Sequence, residues 1–118
     1  MIIPAADRAR MAGAIVSERM ANLHNSNGPI RIDLIGVSAL HASAVAYPDT
    51  AQDVRLRCAM RASSQAEAEI LLWEVEALLC CGPSAGGGYR GHITPSVMTY
   101  STLVDRNDVK PALEILTA

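Results

Sequence analysis

Residues 54–81 change their apolar period from two to nearly four across one short break, and this switch restricts the fold more than any other feature. In VRLRCAMR, residues 54–61, Val54, Leu56, Cys58 and Met60 share one face, with Arg55, Arg57 and Arg61 on the other. That alternation is the pattern of a strand with one buried side. The chain then reads SQAEAEILLWEVEALLCC. Ser64 and Glu67 form an S-x-x-E capping box, Glu67 and Glu69 suit the positive end of a helix dipole, and Gly82 with Pro83 stop the helix. Ala68, Leu71, Leu72, Val75, Leu78 and Leu79 make one apolar face of this helix. Ile70, Trp73, Ala77, Cys80 and Cys81 make a second, with glutamate ridges (Glu67 with Glu74, Glu69 with Glu76) between the two. A helix lying on a sheet needs only one apolar face, so the second is expected to meet another helix, another domain or another subunit.

The flanking segments extend this order. From Pro4 to Leu23 the spacing of Ala12, Ile15, Val16, Met20 and Leu23 predicts an amphipathic helix. HNSNGP, residues 24–29, is a cluster of turn formers. It leads into IRIDLIGV, where Ile30, Ile32 and Leu34 alternate with Arg31 and Asp33, a strand expected to pair antiparallel with residues 54–61. Residues 38–53 read as a strand extension followed by a connection. His92 to Val104 is rich in β-branched residues and predicts a third strand, with an edge or bulge near Pro95. DRNDVKPALEILTA predicts a turn and then a short helix or strand. The order is helix, strand, strand, helix, strand, a split βαββαβ arrangement whose first strand is missing or reduced to MII. The fold class expected is therefore α+β, a ferredoxin-like two-layer sandwich with both helices on one face of an antiparallel sheet, and residues 1–118 form one domain.

Composition narrows the function. A chain of 118 residues that is 50% hydrophobic is long enough to build one core without disulfide staples. With 10 basic and 12 acidic residues, it carries no field that would select nucleic acid or an anionic membrane. It has no Phe, one Trp and three Tyr, too few stacking platforms for a base-binding sheet. Three cysteines, Cys58 and the neighbours Cys80 and Cys81, cannot all pair, which fits a reducing cytoplasm. The N-terminal residues lack the apolar stretch of a signal peptide, and no run approaches the roughly 18 apolar residues that cross a bilayer.

Three sets of residues are candidates for chemistry. The stretch CCGPSAGGGYRG, residues 80–91, has the glycines and the cation of a phosphate loop. Phosphate loops, however, follow a strand and open a helix, whereas these glycines follow a helix C-terminus, whose carbonyls repel anions. Either Gly86, Gly87 and Gly88 supply positive φ for a helix-to-strand connection, or Gly82, Pro83, these glycines, Arg90 and His92 border a ligand or a partner domain. Arg55, Arg57 and Arg61 either bind an anion or solvate the open face of a single-layer sheet. His24, His41 and His92 are scattered, with no metal-binding spacing. Thiolates at Cys80 and Cys81 are disfavoured by the helix C-terminus, and packed, unreactive thiols are the expectation there. No cofactor is expected, and no catalytic residue can be assigned from the sequence.

IRIDLIGVSALHASA, DVRLRCAMRASSQAEAEILLWEVEALLCCGPSAGGGYRG and YSTLVDR together resemble the C-terminal part of the acyclic terpene utilisation (AtuA-like) family, from about Ala9 to Arg106. Cys81 stands where that family usually has a small polar residue, and Ser84-Ala85 where Ala-Gly is usual. The resemblance implies a longer protein with a large α/β portion ahead of this part, and a place in bacterial catabolism of acyclic terpenes through CoA thioesters. It makes Gly82, Pro83, Gly86, Gly87, Gly88 and Arg90 the family-like residues of the loop. The reading it supports is an accessory domain without autonomous catalysis. Its expected partner is a larger α/β domain or subunit, or a second copy meeting it through the Trp73 face. The alternative is an acyl-CoA-binding or enzyme subunit with its site at loop 82–91.

Overall fold

The computed structural model describes residues 3–38, 53–83 and 86–116. Its elements are α1 (Ala5–His24), β1 (Ile30–Ile35), β2 (Arg55–Met60), α2 (Gln65–Cys81) and a single 3-10 turn, Arg106–Asp108. β1 and β2 pair antiparallel, with Ile30 opposite Met60, Ile32 opposite Cys58 and Leu34 opposite Leu56. Those six side chains face the helices, and Arg31, Asp33, Arg55 and Arg57 fall on the opposite side. This is the expected α+β, ferredoxin-like order, with two helices over one face of an antiparallel sheet. The strand extension expected at residues 38–53 lies almost wholly outside the described residues, as do Met1 and Ile2.

α1 is the centre of the packing. Its buried positions are Ala6, Ala9, Gly13, Val16 and Met20, a three-four spacing that keeps one stripe inward. Val16 and Met20 are fully enclosed, and with Leu71 they form a cluster that Ile30, Cys58, Met60, Ile70, Val75 and Leu78 extend. A second cluster joins Ala6 and Ala9 to Leu34 and Val37. The expected stripe was right at Val16 and Met20, but Leu23 is 61% exposed. The stripe is rotated toward small residues because α1 lies close on the sheet: a Cβ at Gly13 would sit 2.9 Å from Ile32 Cγ2. Hydrophobicity alone does not register a contact made by having no side chain.

α1 ends where Asn25 takes the left-handed conformation, φ 51°. The Ser26 N–H then donates to the Met20 carbonyl at 3.0 Å. α2 begins as the capping motif requires, with the Glu67 N–H donating to Ser64 Oγ at 3.2 Å. The return half of the box is displaced by one residue, since the Glu67 carboxylate accepts from the Ser63 N–H and Oγ, each at 2.7 Å. It also accepts from Ser26 Oγ at 2.6 Å, which ties the end of α1 to the start of α2.

Of the two expected glutamate ridges, Glu69 with Glu76 is exposed, but Glu67 with Glu74 does not run between two apolar faces. Glu67, Leu71, Glu74 and Leu78 lie along the side that meets α1, and Glu74 is 3% exposed. Its carboxylate accepts from Arg19 Nε at 2.5 Å and Nη2 at 3.2 Å, and lies 2.7 Å from His24 Nε2. A buried carboxylate is tolerated only when its oxygens are engaged in this way. The second face of α2 divides: Ile70 packs on the Val16, Met20 and Leu71 cluster, whereas Trp73 is 70% exposed.

The largest departure is at the C-terminus. His92–Val104 is not a strand, and neither a helix nor a strand follows the turn at Arg106–Asp108 among the described residues. Every residue from Arg90 to Leu116 is exposed. A segment with strand composition becomes a strand only when a neighbour takes up its backbone N–H and C=O groups, and among the described residues none does. The radius of gyration is 20.8 Å, against about 13–14 Å for a compact chain of this length.

Two outcomes follow from the seam between α1 and α2. Glu74→Ala removes three bonds between the helices and should cost about 2 kcal/mol in chemical denaturation, with the slope of the transition unchanged. The Ser26 and Ser63 hydrogen bonds hold the Glu67 carboxyl down at about 2. Its contribution is therefore complete above the ordinary carboxylate range, near pH 4.3, and is lost as the pH falls toward 2. Thermal melts followed by circular dichroism between these limits should show a decline in the parent chain that is shallower in Glu67→Gln.

Candidate functional site

A cleft of about 750 Å³ opens between the N-terminal half of α1, the first residues of β2, the last turns of α2 and the glycine loop. Its apolar lining is small along α1 (Ala5, Ala9, Ala12) and branched along α2 (Val75, Leu78, Leu79), with Val54 and Leu56 from the strand. Arg8, Arg55 and Arg90 line it against a single acidic residue, Asp53. An alkyl lining with an excess of fixed positive charge suits a ligand that is apolar at one end and anionic at the other.

The loop residues divide. Pro83, Gly86, Gly87, Gly88 and Arg90 line the cleft, and His92 does not. Gly82 caps α2 through its N–H, which donates to the Leu78 carbonyl at 3.0 Å. A Cβ at Gly82 would lie 2.6 Å from that same oxygen. Of the three consecutive glycines only Gly88 has positive φ, at +74°, whereas a Cβ at Gly87 would meet nothing within 4 Å. The expectation that all three supply positive φ is therefore corrected to one. Tyr89 folds back toward Leu72 and over Gly91, and burial together with the nearby Glu76 carboxylate raises its phenol pKa.

The three arginines of β2 do not converge. Arg55 lines the cleft, Arg57 Nη1 is 3.9 Å from Asp33 Oδ2, and Arg61 Nη2 donates to Ser96 Oγ at 3.2 Å. Asp33 also accepts from Arg31 Nε at 3.0 Å, so the face of the sheet away from the helices is a charge-paired surface. Side chains that alternate along a strand are spread over some 20 Å of backbone by a rise of about 3.3 Å per residue, too far to close on one small anion.

Arg8 and the first turn of α1 were not among the expected site residues, yet they form one wall of the cleft. Pro4, at the N-cap, makes no side-chain cap, so the positive end of the α1 dipole borders the cleft, as do the last turns of α2. The sequence signal for this was Pro4 itself, a residue that starts a helix without satisfying its first N–H groups. Cys58 is partly buried, and burial pushes its thiol up to about 11. Cys80 and Cys81 are exposed, contrary to the expected packed thiols, although Cys81 Sγ lies 2.9 Å from the Ala77 carbonyl. Among the described residues no group of His, Cys, Asp and Glu is placed to hold a metal ion, and no helix is long and apolar enough to cross a membrane.

Gly88→Ala should lower stability by about 1 kcal/mol because alanine is strained at that φ, whereas Gly87→Ala should leave the unfolding midpoint unchanged. Urea titrations of the two variants read this difference directly and identify Gly87 as the position where a loss of binding is not a loss of folding.

In comparison with known proteins, the family described as acyclic terpene utilisation family protein AtuA matches residues 2–115. No curated protein and no solved structure matches the chain.

Proposed function

The chain belongs to the AtuA family of acyclic terpene utilisation proteins, and from that premise we propose that it is an accessory, interaction-forming domain of an isoprenoid acyl-CoA catabolism protein, without catalysis of its own. The observation that carries this reading is the unfinished layer. Two helices lie over only two described strands, and the C-terminal residues that read as a third strand form none and are exposed. Apolar side chains such as Val97, Leu103 and Leu113, each at least 87% exposed, suit a surface that another protein covers. A larger α/β domain or subunit of the same family is the partner proposed, with the glycine loop 82–91 at the junction. The three cysteines are all unpaired, which suits a cytoplasmic setting.

A second reading is favoured by the cleft. Its apolar walls and its three arginines against one aspartate match a CoA thioester, with the acyl chain against Ala9, Leu56 and Leu78 and phosphate near Arg8 or Arg90. In that case the chain is an acyl-CoA-binding or enzyme subunit with its site at the loop.

One thermal-shift experiment separates the two. The chain is titrated in parallel with the larger α/β portion of a family member, with CoA, with isoprenoid CoA thioesters, and with inorganic phosphate. Saturation to 100 times the dissociation constant adds about 2.7 kcal/mol, a shift of several degrees for a domain of this size. The accessory reading expects the shift with the α/β portion alone. A shift with thioesters but not phosphate, abolished in Arg90→Ala, moves the function to the cleft.

A further inference from the structure

Residues 86–91 carry four glycines, Gly86, Gly87, Gly88 and Gly91, and the structure requires glycine at only two of them. Gly88 needs it for its φ of +74°. Gly91 needs it for space: a Cβ there would lie 2.9 Å from Leu72 Cδ2 and 2.9 Å from Tyr89 Cζ, and would overlap the Tyr89 hydroxyl. Gly86 and Gly87 have neither reason. Neither has a left-handed φ, and among the described residues a Cβ at Gly86 would approach only the Pro83 carbonyl, at 3.8 Å, and one at Gly87 nothing. Alanine fits the described conformation at both positions. Glycine there costs chain entropy on folding, and the freedom it retains is of use only to a loop that takes a second conformation.

Tyr89 holds the loop in the conformation described. Leu72 Cδ2 and the Tyr89 ring meet at one point above Gly91, so the phenol is seated on α2, with the Glu76 carboxylate nearby. A single aromatic contact of this kind is far weaker than the enclosed core at Val16 and Met20, and it can open locally while the core stays closed. The neighbouring Arg90 lines the cleft together with Gly86, Gly87, Gly88 and Tyr89 itself. The seat of Tyr89 therefore decides where Arg90 stands.

We propose that Tyr89 is a latch and Gly86–Gly88 its hinge: seated against Leu72 over Gly91, Tyr89 holds Arg90 in the cleft wall, and its release swings Arg90 and that wall away, so that the loop sets access to the cleft. Tyr89 and Gly91 are positioning residues in this scheme, acting through Arg90. The consequence for binding rests on the cleft reading above, whereas the motion does not.

Nuclear magnetic resonance of the full chain without ligand tests the latch. A released state populated at about 1–10% should appear as saturation transfer at the Leu72 methyls, the Tyr89 ring and the Arg90 Nε–H, with one exchange rate for all three. Gly91→Ala puts a methyl where the Tyr89 ring lies, and should make the minor Leu72 methyl shift the major one. Tyr89→Ala should reproduce that shift, because it also takes the ring away from the methyl. Gly86→Ala combined with Gly87→Ala should lower the minor population at least about threefold. Val16 methyl shifts, unaltered in every variant, show that the core is folded. A parent chain without exchange at these groups overturns the proposal, as does a Gly91→Ala chain that keeps the NOEs between Tyr89 and Leu72. A population indifferent to the double glycine substitution overturns the hinge, and an Arg90 signal that does not follow Leu72 overturns the positioning of Arg90. Because no ligand is present, failure of the latch and failure of the cleft reading are seen in separate experiments.

Discussion

The fold depends on one contact: the stripe of α1 that carries Val16 and Met20, both fully enclosed, against β1, β2 and α2 together. A two-stranded antiparallel ribbon has too little apolar area to stand alone in water. α2 packs chiefly on α1 and has little of the sheet beneath it. The two strands and the second helix are thus each stabilised through α1. Its close seating, with no side chain at Gly13 beneath Ile32, brings all three within van der Waals reach.

Around that apolar contact the helices are aligned by charge. Glu74 would be costly to bury if either of its oxygens lacked a donor, and Arg19 and His24 supply donors from α1 alone. The Arg19 guanidinium holds the Glu74 carboxyl below the usual carboxylate range, against the opposing effect of burial. Glu67 does the same work at the other end, taking Ser26 from the α1–β1 turn. A purely apolar seam tolerates sliding by a residue or two. Two carboxylates with fixed partners leave α1 and α2 a single register.

The open half of the molecule is the reverse of this saturation. The cleft has apolar walls, and the C-terminal arm has apolar side chains with no cover among the described residues. Both belong to one short chain of a family matched over nearly its whole length. An apolar arm left uncovered is unfavourable in water, which is what supports the interaction role proposed above.

Local rules were sufficient for much of this. The alternation of residues 54–60, the Ser64 cap and the turn at Asn25 are decided by neighbours in sequence, and each formed where its chemistry required. The place of the glycine loop after a helix C-terminus was also legible, because helix polarity follows from chain order alone. What the sequence did not determine was where each face would be satisfied. The buried stripe of α1 followed a close approach at Gly13 that no hydrophobicity pattern records. Glu74 of α2 turned inward because Arg19 and His24 meet it from another helix. Residues 92–104 have every local preference of a strand and are not one, since a β-ladder needs hydrogen bonds from a second strand. Local preference selects a conformation, but only tertiary structure provides the partner.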